Sequence, residues 1–280
     1  MSTVIVAIAK NEQDYIEEWV IYHLALGFDK IYLYDNEDEQ TYSKILEKYE
    51  NRVVNIHLPG NNFKVGVQYV ALSHFMSEVV KEENIKYALH SDIDEFVCFK
   101  KHKNIKEFVN EYFFNPVVAG VGISWRFFGS SGFIKKTNEP VVERFTRCAA
   151  VGNELGKTIF DVNLINGFVT CHNPFPKEGY HIIDTNGLIT SPMAENPQPD
   201  ISVIQLNHYY CKTIPEFFYA KSRGRADVSG GAKGTYGGSE QKPLDIHLIN
   251  LYLQNNHNEE EDLTACNFYK NIKSEASENL

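Results

Sequence analysis

The sequence predicts an α/β domain whose central sheet is mostly parallel and flanked by helices. Three observations carry that expectation. β-branched runs recur at residues 4–8, 30–34 and 53–57. Helical periodicity fills the intervals between them, the pattern of strands joined by crossover helices. The chain has 280 residues, 43% of them hydrophobic, enough to bury one large core.

Taken in order, the first strand falls at 4–8. The segment 15–26 places Ile16, Trp19, Val20 and Leu24 at three- and four-residue steps, and Gly27 follows where a helix C-terminus favours a left-handed residue. It is the expected first crossover helix. After strands at 30–34 and 53–57, a second long helix covers 65–80 and ends in polar residues 81–84. A strand at 86–90 then delivers Ser91-Asp92-Ile93-Asp94-Glu95-Phe96. The carboxylates therefore sit at the carboxyl end of a strand, where open α/β sheets bind ligands.

Beyond Glu95 the pattern loosens, with a helix expected at 105–112 and a strand at 117–123. There is no internal repeat or clear linker. Pro192, Pro197 and Pro199 forbid regular structure near 191–200. A strand at 201–206 and a helix at 215–221, opened by Pro215, come next, followed by a glycine-rich stretch over 229–239. Residues 1–255 are read as one domain, and 256–280 as a polar tail expected to be partly disordered.

Composition narrows the function. A formal charge of −10 argues against generic nucleic-acid binding, which needs a basic face. No run of eighteen apolar residues exists, and charged Lys10 and Glu12 follow soon after the N-terminus, so neither a membrane span nor a secretory signal is expected. Five cysteines without a Cys-x-x-Cys pair read as reduced thiols in an intracellular protein and make a zinc site improbable.

Three carboxylates within four residues repel one another. A hard divalent cation, Mg²⁺ or Mn²⁺, relieves that repulsion and leaves positions for phosphate oxygens. In an extended segment Asp92 and Asp94 face one side while Ile93 and Glu95 face the other. This points to a metal–diphosphate site, against the plainer reading of an acidic turn without a ligand. Lys10-Asn11-Glu12 and Asp35-Asn36-Glu37 follow the first two strands and share that edge. Asp35 could accept a hydrogen bond from a base, and Asn11 or Glu12 could hold a ribose hydroxyl, although each alone is more often a turn or cap residue. His208 is a candidate metal ligand, though a lone histidine is usually structural. Lys212, Lys221, Arg223, Arg225 and Lys233 form a local basic patch, read either as a loop closing on a diphosphate or as a solvated face. Trp125 and Phe128 are candidate sugar-stacking residues, although core packing is the commoner use. Glu143, Asp161 and Asp184 are candidate general bases, among which the sequence does not choose.

Taken together, these residues resemble glycosyltransferase family 92 and its bacterial relatives within the family-2-like GT-A superfamily. The resemblance covers Val4 to Arg225. It rests on Ala9-Lys10-Asn11-Glu12 with Glu18, Trp19 and His23; Tyr34-Asp35-Asn36; Gln68; Asp92-Ile93-Asp94-Glu95-Phe96; Trp125 to Ser130; Val142 to Phe145; Lys157-Thr158-Ile159; and Asn207-His208-Tyr209 leading to Glu216, Phe217, Lys221 and Arg223-Gly224-Arg225. It implies a GT-A, Rossmann-like fold with a nucleotide-binding half over 1–100 and a loop-rich acceptor and lid region over 101–255. The implied activity moves a galactose- or glucose-type hexose from a UDP-sugar to a hydroxyl of a glycan or lipid-linked saccharide, by inverting displacement. Mn²⁺ (or Mg²⁺) would be ligated by Asp94 and His208, with Asp92 acting through water or on the donor ribose. Lys10, Asn11, Glu12, Asp35, Gln68, Lys221, Arg223 and Arg225 would bind the donor; Trp125 and Phe128, the acceptor. Because the chain begins almost at its first strand, a bacterial-type cytoplasmic enzyme is expected, working at the inner face of a membrane. The competing readings are a nucleotidyltransferase or metal-dependent phosphohydrolase, disfavoured because Ala7 to Glu12 contains no glycine, and a non-catalytic nucleotide-sugar-binding protein.

Overall fold

The computed structural model describes residues 2–60, 63–190, 196, 198–222 and 246–278. The chain opens with β1 (Ser2–Ala9), α1 (Ile16–Ala25), β2 (Lys30–Asp35), α2 (Tyr42–Leu46) and β3 (Val53–His57). Next, α3 (Val67–His74) continues through a wider π turn at Phe75–Val79 into α4 (Val80–Glu82), and the chain re-enters the sheet as β4 (Ile85–His90). After a turn come β5 (Glu95–Phe99), α5 (Ile105–Tyr112), β6 (Val118–Phe127), α6 (Val141–Arg144), β7 (Arg147–Cys148) and β8 (Gly156–Asp161). The hairpin β9 (Ile165–Thr170) and β10 (Asn173–Pro176) precedes β11 (His181–Ile183), β12 (Ile204–His208) and α7 (Ile214–Ser222). α8 (Ile246–Asn255), β13 (Glu260–Glu261) and α9 (Thr264–Glu278) close the described chain.

The main sheet has the order β3-β2-β1-β4-β8-β6-β12-β5, with β11 also against β6. β1 to β4 are mutually parallel. β8 runs against both β4 and β6, β12 runs with β6, and β5 runs against β12. The predicted, mostly parallel α/β class is the observed one. One consequence governs everything below: the carboxyl ends of β1, β2, β3, β4, β6 and β12 share one edge with the amino ends of β8 and β5.

Period-two burial explains why the sheet lies between two helical layers. On β1, Ile5 and Ala7 join the core beneath α1, α5 and α9, while Val4 and Val6 join the core beneath α3. α1 buries Ile16, Trp19, Val20, Tyr22 and His23, and Gly27 ends it at φ +91° as expected. His23 is wholly enclosed, its Nδ1 2.9 Å from Trp19 O, and its Nε2 accepts from Val97 N–H. Burial pushes its imidazole down to about 3, so it stays neutral.

Two expectations change. The strand expected at 201–206 lies at Ile204–His208, which puts His208 at a strand's carboxyl end. Residues 256–280, expected as a polar tail, are folded over their described part. β13 pairs with β7, and α9 inserts Ala265 and Tyr269 into the main core with Phe268 and Ile272 packed against it. Those four residues sit at helical spacing among polar ones, an amphipathic stripe hidden by low average hydrophobicity. Asp262, just before α9, is held by Lys100 at 2.6 Å and Arg126 at 3.0 Å. No helix among the described residues is long and apolar enough to cross a membrane.

Candidate active site

The acidic motif forms a turn and not the extended segment expected, closed by Glu95 N–H donating to Asp92 O at 3.1 Å. The alternation of burial nevertheless survives: Asp92 and Asp94 are half-buried toward the edge, whereas Ile93 and Glu95 are buried. Tyr209 N–H donates to Asp94 O at 2.9 Å, tying the end of β12 to this turn.

The residue that organises the motif is Lys157, at the amino end of β8. Its side chain is fully enclosed, with Nζ 2.9 Å from Asp92 Oδ2 and 3.7 Å from Glu95 Oε2. Gly156 makes this placement feasible, because a Cβ there would lie 1.8 Å from Ile123 O. Gln68, from α3, donates to the other Asp92 oxygen at 3.0 Å. Burial alone would raise the Asp92 carboxyl, but Lys157 outweighs it and holds the group well below the usual range. Glu95 accepts from Trp125 Nε1 at 2.7 Å, from Asp92 N–H at 2.9 Å and from Ser91 Oγ at 3.2 Å. Burial pushes its carboxyl up to about 7, against the pull of Lys157. For Lys157, burial would favour deprotonation, but Asp92 and Glu95 reverse that and keep it charged.

His208 lies beside Asp94, Nε2 to Oδ1 3.7 Å, and its buried Nδ1 has no hydrogen-bond partner. An aromatic ledge surrounds the imidazole. Phe127 stacks on it at 5.0 Å, Trp125 lies at 4.9 Å, and Tyr210 meets it edge-on at 5.4 Å. Lys221 of α7 places Nζ 3.6 Å from the Tyr210 ring centroid. At the tip of the β9–β10 hairpin, His172 packs against Trp125, and His90 Nδ1 lies 2.6 Å from Cys171 O.

The structure therefore brings together Asp92, Asp94, His208, Gln68, Trp125 and Lys221. Lys10, Asn11 and Glu12 lie on the same edge, at the end of β1. Asn11 has φ +57°, a conformation asparagine tolerates, and its N–H donates to Glu37 Oε1. Other candidates are corrected. Asp35 is fully buried and accepts from the N–H groups of Glu37, Thr41 and Tyr42, so it closes a turn and caps α2 instead of facing a base. Phe128 is also fully buried, packed on Tyr209, because it steps off the face that Trp125 and Phe127 share.

The three proposed bases are each engaged elsewhere, although Asp184 lines a small pocket shared with Gly156 and Lys157. Asp161 stands at the carboxyl end of antiparallel β8, opposite Tyr87 at the other edge of the sheet from Lys157, and accepts from Asn163 N–H in its own turn. Asp184 accepts from Asn186 and Leu188 N–H. Glu143 is paired with Lys273 of α9 at 2.8 Å. Arg223, Arg225 and Lys233 lie outside the described residues.

Lys157, Phe127, Tyr210 and His172 are additions. A lysine opening the apolar run Thr158-Ile159-Phe160 was the available signal for Lys157, since a buried charge needs a partner. Alternation from Trp125 was the signal for Phe127.

Chemically, the edge offers a carboxylate and an imidazole, donors that suit Mn²⁺, next to aromatic faces that suit a sugar ring. Among the described residues no three His, Cys, Asp or Glu side chains converge as a ready-made metal group. Asp94 and His208 could supply two ligands to a divalent ion, whereas Asp92, already held on both oxygens, would take a supporting place.

The model of glycosyltransferase family 92 matches residues 4–180. A glycosyltransferase family 92 protein of Oryza sativa subsp. japonica is 23% identical over 181 residues, covering 62% of this chain and 30% of its own length. One from Arabidopsis thaliana is 25% identical over 166 residues, covering 55% and 28%. The chain thus spans under a third of the length of these relatives. Among solved structures, S. aureus TarS 1-349 in complex with UDP aligns over 98% of this chain and 71% of its own, at 13% identity and a TM-score of 0.37. HddC from Yersinia pseudotuberculosis aligns over 66% and 91%, at 10% identity and a TM-score of 0.36.

Proposed function

This chain belongs to glycosyltransferase family 92, and from that premise we propose that it transfers a hexose of the galactose or glucose type from a UDP-sugar to a hydroxyl of a glycan or lipid-linked saccharide. The observation that carries the reading is the Asp94–His208 pair beside a lysine-held Asp92, at the carboxyl edge of a mostly parallel sheet.

Asp94 and His208 would hold Mn²⁺ (or Mg²⁺), whose chemistry is to neutralise charge on the departing diphosphate. Lys10, Asn11, Glu12 and Gln68 would grip the nucleoside. Lys221, over the Tyr210 ring, supplies positive charge on the opposite flank. Phe127 and Tyr210 offer faces for the sugar; Trp125, itself buried, packs against Phe127 and is fixed by Glu95 through its Nε1–H. We assign a single inverting displacement, in which an acceptor hydroxyl bonds the anomeric carbon as the bond to the diphosphate breaks, its proton passing to solvent and UDP leaving as the anion. A lipid-linked acceptor would bring a cytoplasmic enzyme to the membrane face.

The test is a thermal-shift panel of nucleoside diphosphates and nucleotide sugars, with and without Mn²⁺, because a ligand that binds only the native state raises its melting temperature. Metal-dependent stabilisation by UDP and one UDP-sugar is expected, and Asp94→Ala should remove it while leaving the unliganded melting temperature near that of the parent. No response to any nucleotide would overturn the assignment.

A further inference from the structure

The Asp92–Glu95 motif holds three carboxylates, yet they are not equivalent. Glu95 is turned into the core, where Trp125, Ser91 and the Asp92 N–H occupy its oxygens. Asp92 has Lys157 on one oxygen and Gln68 on the other. Lys157 itself has no exposed side-chain surface and stands within 4 Å of two of the three carboxylates. A buried, permanently charged lysine at that place does what a metal ion would do: it cancels mutual repulsion at short range, where the dielectric is low. Asp94, the third, presents its charge toward the edge beside the imidazole of His208.

We infer that Lys157 is a resident counter-cation that keeps Asp92 from ligating metal, so that the site takes up a divalent ion weakly by itself and firmly only together with a diphosphate. This deepens the transferase reading and rests on it for the identity of the diphosphate. Lys157 acts through Asp92 and is thus a positioning residue. The arrangement makes metal and nucleotide binding mutually dependent, and by linkage each strengthens the other equally.

Mn²⁺ binding to the full chain, followed by the loss of the free-ion electron paramagnetic resonance signal, tests this without any turnover assay. In the parent protein, UDP should tighten Mn²⁺ binding by about tenfold or more. Lys157→Met should tighten nucleotide-free Mn²⁺ binding by about tenfold, because it removes the positive charge that stands beside the two aspartates. The paired change Asp92→Asn with Lys157→Met removes charge and counter-charge together, which buried ion pairs tolerate, and should leave nucleotide-free Mn²⁺ binding within about threefold of the parent. A folded Lys157→Met protein with unchanged or weaker Mn²⁺ binding overturns the inference. If that variant does not fold, the paired variant decides: a loss beyond about tenfold would mean that Asp92 already ligates metal despite the lysine. A parent protein indifferent to UDP whose Lys157→Met form still gains Mn²⁺ affinity would uphold the role of Lys157 and count against the transferase reading.

Discussion

Phe127 and Phe128 show how much one residue of register decides. Phe127 is half-buried and stacked on His208, whereas Phe128 is sealed against Tyr209. Phe128→Ala should therefore cost about 3–5 kcal/mol of stability through the cavity it leaves. Phe127→Ala should cost much less, yet lower sugar-transfer turnover. Urea denaturation alongside donor turnover separates the two, and equal stability losses would place both rings in the core. Both phenylalanines are apolar and adjacent, so composition alone does not rank them; period two along β6, counted from Trp125, does. Asp161 fails as a base for a related reason. Its identity was legible, but the direction of β8, which carries it away from Lys157, was not.

At the scale of elements, β8 is the piece on which the site depends. It runs against both neighbours, and its first residues bring Lys157 under the acidic turn. Gly156 is where it passes closest to β6, with no room for a Cβ next to Ile123 O. Gly156→Ala must displace backbone, and we expect a loss of about 2–4 kcal/mol together with weaker Mn²⁺–UDP binding. Paired measurement of the melting temperature and Mn²⁺–UDP affinity checks this; a variant with neither effect would show that β8 can shift without disturbing Asp92. The strands and helices of the first hundred residues were legible because their periodicity is strong. α9 was not, because its apolar stripe of Ala265, Phe268, Tyr269 and Ile272 is diluted by lysine, asparagine and serine and gains meaning only against the surface it covers.

Across the whole molecule, buried titrating groups set a pH profile. Burial lowers His23 to about 3, so between the ordinary histidine value and 3 the unfolded chain binds the extra proton, and stability is lost as pH falls. Burial alone would raise the Glu216 carboxyl, but hydrogen bonds and charge from Arg144, with the Thr213 hydroxyl, bring it down to about 2. Its contribution is present above the ordinary glutamate value and is lost as pH falls through 2. Glu18 has the opposite sign. Burial lifts it to about 7 despite N–H donors from Val142 and Val141, so its contribution is full below the ordinary value and is lost as pH rises through 7. His23 and Glu18 therefore oppose one another between about 4.5 and 6.5, whereas His23 and Glu216 act together below that, each by at most about 1.4 kcal/mol per pH unit. Urea midpoints should change little between pH 6.5 and 5 and fall steeply between pH 4.5 and 3; a flat acid limb would contradict these assignments.

The sequence by itself determined the α/β class, the succession of the first four strands along the chain and the arrival of Asp92 and Asp94 at a strand's carboxyl end. Those properties follow from periodicity and chain direction, which are local. Only the tertiary structure decided that β8 and β5 run backwards, that Lys157 stands beneath Asp92, and that Asp35 and Asp184 close turns. Pairing between distant segments is set by the fit of whole surfaces, and whether a carboxylate faces a ligand or a backbone N–H depends on neighbours that lie dozens of residues away along the chain.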